Sequence, residues 1–275
     1  MRPMNRHPLV LAGLALASCA MAPTTSTPTV SPALRAEFAP SGALVMAVNF
    51  GNIVHTQPDP AGGPPRGAAP ELARELAKRL GVPIKYVTYD TAGKMADAVK
   101  DGAWDVAFLA VDPARSETIT FTAPYLLIEG TYLVRQESPM RRHEDFDKAG
   151  NKIAVGLKSA YDLYLTRALK NAELVRYPTS QVAIDAFVAG KDGLGSVAGV
   201  RQPLAITARK DPKFRVIELA YMSIGQAAGV PRGRPQAAKY LHDFIEEMKA
   251  SGFVARALER YQIQGAAVAP AGDAK

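Results

Sequence analysis

The chain has 275 residues, 48% of them hydrophobic and 21% charged, with a formal net charge of +7. That is enough apolar material for a sizeable core and too much for a chain disordered throughout, and no apolar run is long enough to cross a bilayer as a helix. One cysteine excludes a disulfide framework and a Cys-rich zinc site, and His7, His55, His143 and His242 lie too far apart for metal-ligand spacing, so neither metal nor other cofactor is expected.

Arg2 and Arg6 precede an apolar stretch over residues 9–17, the charged and hydrophobic regions of an export signal. Leu16-Ala17-Ser18-Cys19 then resembles the lipobox of bacterial lipoproteins, which are cut before the cysteine and acylated on its thiol. Residues 1–18 are therefore expected to be a removed signal and Cys19 the site of a lipid anchor, held durably if more than one chain is attached. Residues 20–41 carry four Pro, four Thr and three Ser with only Arg35 and Glu37 charged, and with Cys19 they are expected to form a flexible tether over 19–41. Without the signal the net charge is +5, from 31 basic against 26 acidic residues. The basic residues are dispersed and not interleaved with aromatics, so no nucleic-acid partner is expected.

From residue 43 short apolar runs alternate with helical periodicity, an α/β pattern with largely parallel sheets. A strand is predicted over 43–48. A helix follows over 70–80, with Pro70 in its first turn, Gly81 just past its end and Pro83 beyond. A second strand spans 83–88. Asp90 or Thr91 caps a helix whose Ala92, Met95, Ala96 and Val99 share one face, and Gly102 stops it. Strands are predicted over 105–109, 118–121 and 131–135. A second unit starts near residue 138, with a strand at 152–155 and a helix opened by Ser159 with Asp162 at capping-box spacing. Elements at 174–176, 180–189, 195–199 and 214–219 continue the alternation, and 235–250 is a strongly amphipathic helix. No internal sequence repeat is evident.

Open α/β sheets hold ligands beyond the carboxyl ends of their strands, which nominates residues 49–52, 110–115, 156–161 and 199–201. A guanidinium at Arg115 would grip a carboxylate through two parallel hydrogen bonds, or would be a solvated arginine on a turn. The turn into the helix at Ser159 presents free backbone N–H groups, an anion site or simply a capped helix start.

Gly67-Ala68-Ala69-Pro70-Glu71-Leu72-Ala73 and Leu76-Ala77-Lys78-Arg79-Leu80-Gly81-Val82 resemble the first helix of the family 3 extracellular solute-binding proteins. Gly102-Ala103-Trp104-Asp105-Val106-Ala107, then Arg115, then Ile119-Thr120-Phe121-Thr122-Ala123-Pro124-Tyr125 continue the pattern in order. Val155-Gly156-Leu157-Lys158-Ser159-Ala160-Tyr161 resembles that family's second-lobe ligand loop, and the likeness runs over residues 43–262. The resemblance implies a two-lobed type II periplasmic binding protein fold, each lobe a mostly parallel sheet flanked by helices, joined by two hinge crossings. Lobe one would be residues 42–133 plus 222–265 and lobe two 134–221, with crossings at 134–137 and 219–222 and a disordered tail at 266–275.

The resemblance also implies a site. Arg115 would grip a ligand carboxylate, and Ser159, Ala160 and Tyr161 would add hydrogen bonds. Asn49, Asn52 and Gln226 are candidate cleft residues. The family's second-lobe acidic residue, which holds an α-amino group, has no counterpart in Ser196-Val197-Ala198-Gly199-Val200-Arg201-Gln202. Asp112 would serve as an ammonium partner or pair with an arginine, and Arg201 would suit a second acidic group on the ligand.

The implied function is capture of a small carboxylate ligand, an amino acid or related organic acid, by a monomeric lipoprotein that delivers it to an inner-membrane ABC permease. A rival is an enzyme resembling cyclohexadienyl dehydratases, with Asp112 or Glu129 as general acid. Another is a ligand-sensing lipoprotein. No nucleophile-elbow or Walker motif supports other catalysis, and Gly193-Leu194-Gly195-Ser196 is only a loose echo of a dinucleotide loop.

Overall fold

The structure, a computed structural model, describes residues 30–272; the signal and Cys19 expectations lie outside the described residues, as does the end of the tail at 273–275. In chain order the elements are α1 (Pro32–Phe38), β1 (Leu44–Asn49), α2 (Ala68–Leu80), β2 (Ile84–Tyr89), α3 (Ala92–Asp97), β3 (Val106–Ala110), α4 (Pro113–Ser116), β4 (Ile119–Arg135), β5 (Lys152–Gly156), α5 (Ala160–Ala168), β6 (Glu173–Tyr177), α6 (Ser180–Val188), β7 (Ser196–Val200), α7 (Arg201–Lys210), β8 (Phe214–Val216), β9 (Met222–Pro231), α8 (Pro235–Ala250), α9 (Phe253–Arg260) and β10 (Ala267–Val268).

Local chemistry sets most of these boundaries. Gly81 ends α2 in the left-handed conformation, φ 66°, where its N–H reaches the carbonyls of Ala77 and Lys78. Thr91 starts α3 by accepting the Lys94 N–H on its hydroxyl, and Gly102 stops the following 3₁₀ turn at φ 65°. The apolar stripe of α2 (Leu72, Leu76 and Leu80) is fully buried, and each such leucine contributes roughly 1.5–3 kcal/mol.

The strands form one continuous sheet in the order β2-β1-β3-β9-β4-β7-β5-β6, with β8 and β10 also paired to β4. The pairs β1–β2, β1–β3, β5–β6 and β5–β7 are parallel, while β9 and β4 run antiparallel to their neighbours. Two pairs of buried clusters flank the sheet, one pair around β1, β3 and α2 and the other around β5, β7 and α6. The molecule thus has two halves, and β4 belongs to both.

Where 118–121 and 131–135 were expected as separate strands, β4 runs unbroken through 17 residues. Pro124 falls where the β4–β9 register shifts, a place where a residue without an N–H is tolerated, so it does not interrupt the strand. The sheet changes partners at Gly130, which pairs with Met222 of β9 and Val200 of β7. Leu133 pairs with Val197 and packs in the second half, so the first hand-over comes before residues 134–137.

Two segments expected to be loose are tied down. Within the tether at 19–41, residues 32–38 form α1: Ser31 accepts the Leu34 N–H, Pro32 starts the helix, and Phe38 is buried edge-on against Tyr240 of α8. Glu37 receives Arg234 on its carbonyl and the Ala237 N–H on its carboxylate. In the tail at 266–275, β10 pairs with Leu126 and Leu127, and Lys249 holds the Pro270 carbonyl at 2.8 Å.

His55 is 1% exposed, with Nδ1 2.9 Å from the Tyr125 hydroxyl and Nε2 without a partner among the described residues. Burial pulls its pKa down to about 4 from 6.5. The unfolded chain therefore binds a proton that the folded one refuses between these values. We expect this residue to remove about 2–3 kcal/mol of stability as pH falls from 7 to 4.5. Urea unfolding at the two pH values checks this, and the pH dependence should flatten in His55→Gln. At the end of β5, a Cβ on Gly156 would lie 2.7 Å from the Ser180 backbone nitrogen and 2.9 Å from its Cα. Gly156→Ala should cost about 1–3 kcal/mol in the same assay by forcing the start of α6 off the strand.

Candidate functional site

The carboxyl ends of β1, β2 and β3 meet those of β5 and β7 across a cavity of about 50 Å³ between the halves. Strand register decides which side chains arrive there. Gln226 pairs with Ala110, the last residue of β3, and Asn49 ends β1 opposite Tyr89, so Asp90 and Thr91 follow directly at the rim. Asn49, Asn52, Arg115, Ser159, Ala160, Tyr161 and Gln226 all line this cavity. A second space of about 310 Å³, lined by Phe50, Ile53, Thr179 and Pro203, shares Gly51, Asn52, Asp90, Tyr161, Ser180 and Val200 with it and forms a vestibule.

Among the described residues, Arg115 is the only cation lining the inner cavity. It sits on α4, which Asp112 caps by accepting the Ala114 N–H at 2.9 Å and Pro113 starts. The side chain is 5% exposed; Nη1 donates to the Ala110 carbonyl at 2.9 Å and Nη2 to the Lys158 carbonyl of the opposite half at 3.0 Å. Burial lowers its pKa to about 10, against the opposing charges of Asp112 and Asp97, so it remains a cation at neutral pH. No carboxylate bonds to it, and three of its five N–H groups have no partner among the described residues.

The neutral groups around it are held with their binding atoms to spare. Asn49 and Asn52 accept the N–H groups of Gly51 and Val54 on their oxygens, which leaves both amide NH₂ groups as donors. Gln226 is 3% exposed, and its amide makes no side-chain hydrogen bond among the described residues. Ser159 caps α5 by accepting the Asp162 N–H at 3.1 Å, while the N–H groups of Ala160 and Tyr161, in the first turn, have no intrahelical acceptor. The Tyr161 hydroxyl donates to Ser180, and burial raises its pKa.

Asp112 and Arg201 do not reach the cavity. Asp112 is buried but bound to Arg167 of the other half at 2.7 Å, so it is no free ammonium partner. Arg201 lies in a separate groove beside Tyr261; it pairs with the Glu129 carboxylate and donates to the Glu218 carbonyl at 2.7 Å, which leaves it unsuited to a ligand acid. Conversely, Asp90 and Ser180 line the cavity without having been nominated, while Val200 lines it from within the nominated 199–201. The strand-end rule, applied to β2 as well, could have found Asp90, which sits directly after that strand. Asp90 is the only carboxylate lining the cavity among the described residues; Lys94, 2.8 Å away, holds its carboxyl below the usual range.

The halves are closed on the cavity. Besides Arg115 and Arg167, Lys158 crosses between them, with Nζ 2.6 Å from Asp97. Lys158 is in the left-handed conformation at φ 55°, and its N–H is held by Asp162 at 2.8 Å.

This architecture has known counterparts. The solute receptor for L-cysteine of Neisseria gonorrhoeae aligns at TM-score 0.72 and 21% identity, covering 84% of this chain and 94% of that one. A mutant of ArgBP from T. maritima aligns at 0.71 and 20% identity, covering 83% and 99%. An ancestral amino acid-binding protein described as a precursor of cyclohexadienyl dehydratase aligns at 0.69 and 21% identity, covering 82% and 98%. These likenesses establish the type II periplasmic binding fold. The sequence model of the bacterial extracellular solute-binding proteins, family 3, matches residues 56–264, and the chain belongs to that family.

Proposed function

We propose that this protein is a periplasmic lipoprotein, anchored through Cys19, that closes its two halves on a small carboxylate-bearing ligand and delivers it to an inner-membrane ABC permease. The observation that carries the reading is Arg115: a buried cation at the junction of the halves, bonded only to neutral carbonyls, with N–H groups left for an anion. A carboxylate accepts two parallel bonds from such a fork, with the N–H groups of Ala160 and Tyr161 opposite. Amino acid binding by the gonococcal receptor supports the same ligand chemistry.

Binding without chemistry fits the site better than dehydration. Neither candidate acid lines the cavity: Asp112 is paired with Arg167, and Glu129 with Arg201. Asp90 is held on the ionised side by Lys94, the opposite of what a general acid at neutral pH requires.

A ligand at a hundred times its Kd stabilises the folded protein by about 2.7 kcal/mol, so a thermal-shift screen of amino acids, dicarboxylates and aromatic acids tests the proposal. At least one acid should raise Tm, and Arg115→Ala should abolish the shift while leaving a cooperative transition. If no acid shifts Tm, or if the shift survives in Arg115→Ala, the carboxylate reading fails.

A further inference from the structure

Resting on that reading, we infer that the cleft selects a small monoanionic acid whose substituent beside the carboxylate is a hydroxyl or oxo group and not an ammonium. Among the described residues, the inner cavity carries one uncompensated charge, the Arg115 guanidinium, which matches one carboxylate. The wall facing it is built from Gly156, Leu157, Ala160 and Val200 with the hydroxyls of Ser159 and Ser180, and none of these is an anion. An ammonium next to the bound carboxylate would be buried beside a guanidinium against a neutral wall. Removing a cation from water without a partnering charge costs several kcal/mol.

Asp90 does not answer that need. Its carboxylate lies at the rim, shared with the vestibule, with its side chain 55% exposed and bound to Lys94, so the pair is already neutral. A hydroxyl or oxo group needs only one neutral donor or acceptor. The Asn49, Asn52 and Gln226 amides and the Ser159 hydroxyl provide these. The inner volume of about 50 Å³ holds roughly three to five water-sized groups, the scale of a two- to four-carbon acid.

Isosteric pairs isolate the substituent: glycolate against glycine, L-lactate against L-alanine, and D-glycerate against L-serine. Calorimetric titration of the full chain should give at least tenfold tighter binding of the hydroxy acid in one or more pairs, lost in Arg115→Ala. Val200 occupies the N-cap position of α7, where aspartate is well tolerated, so Val200→Asp is expected to fold. It should move the preference at least tenfold towards the amino acid. Amino acids binding as tightly as their hydroxy partners, with Arg115 still required, would overturn the inference and leave carboxylate capture standing. Amino acid binding that Asp90→Asn removes would do the same, and would make Asp90 the ammonium partner. If no member of any pair and no larger acid binds in an Arg115-dependent way, the carboxylate reading falls with the inference.

Discussion

A guanidinium taken out of water between two halves of a protein is costly unless its charge and its N–H groups are answered. Arg115 meets this constraint only in part. Two backbone carbonyls, one from each half, take one N–H each, and the Asp112 and Asp97 charges favour the cation without touching it. The rest of the site is arranged around what remains. Amide and hydroxyl groups stand nearby with unused donors, and the first turn of α5 points free N–H groups into the same space. A carboxylate completes this set better than any neutral group would.

The same residue couples the site to the relation between the halves. Its Nη2 bond ends on the carbonyl of Lys158, whose left-handed backbone is held by Asp162 and whose ammonium reaches Asp97 across the cleft. A non-glycine residue in that conformation stores of order 1–3 kcal/mol. The ion pairs that cross the cleft are half-exposed on at least one side, and exposed pairs contribute typically 0.2–1 kcal/mol. These links alone hold the closed form only modestly. Shifting a closure equilibrium from 1:99 to 99:1 takes about 5.5 kcal/mol of differential affinity, and a carboxylate bonded to both halves is the contact able to supply most of it.

Much of this was legible in the sequence because it is local. Capping residues and glycines marked α2, α3 and α5, and the strand-end rule pointed to Asn49, Arg115 and Ser159. What was not legible depends on residues far apart in the chain. The stretch between the expected strands 118–121 and 131–135 was not legible as strand because the bulge that accommodates Pro124 exists only opposite β9. Residues 32–38 looked like tether because the surface that orders Phe38 comes from α8. The pairing of Asp112, left open between an ammonium and an arginine, and that of Arg201 were not legible because their partners, Arg167 and Glu129, lie 55 and 72 residues away. Ser180 was visible as a helix start, but only the abutment of Gly156 on that start turns it towards the ligand cavity.

Everything proposed for this protein depends on Arg115 receiving a ligand carboxylate at the junction of the halves. A crystal structure of the protein with a bound acid tests it most directly. The ligand carboxylate should pair with the Arg115 guanidinium by two hydrogen bonds, with its other oxygen contacts drawn from the first turn of α5. A ligand seated elsewhere, with Arg115 still bonded only to the Ala110 and Lys158 carbonyls, would contradict it.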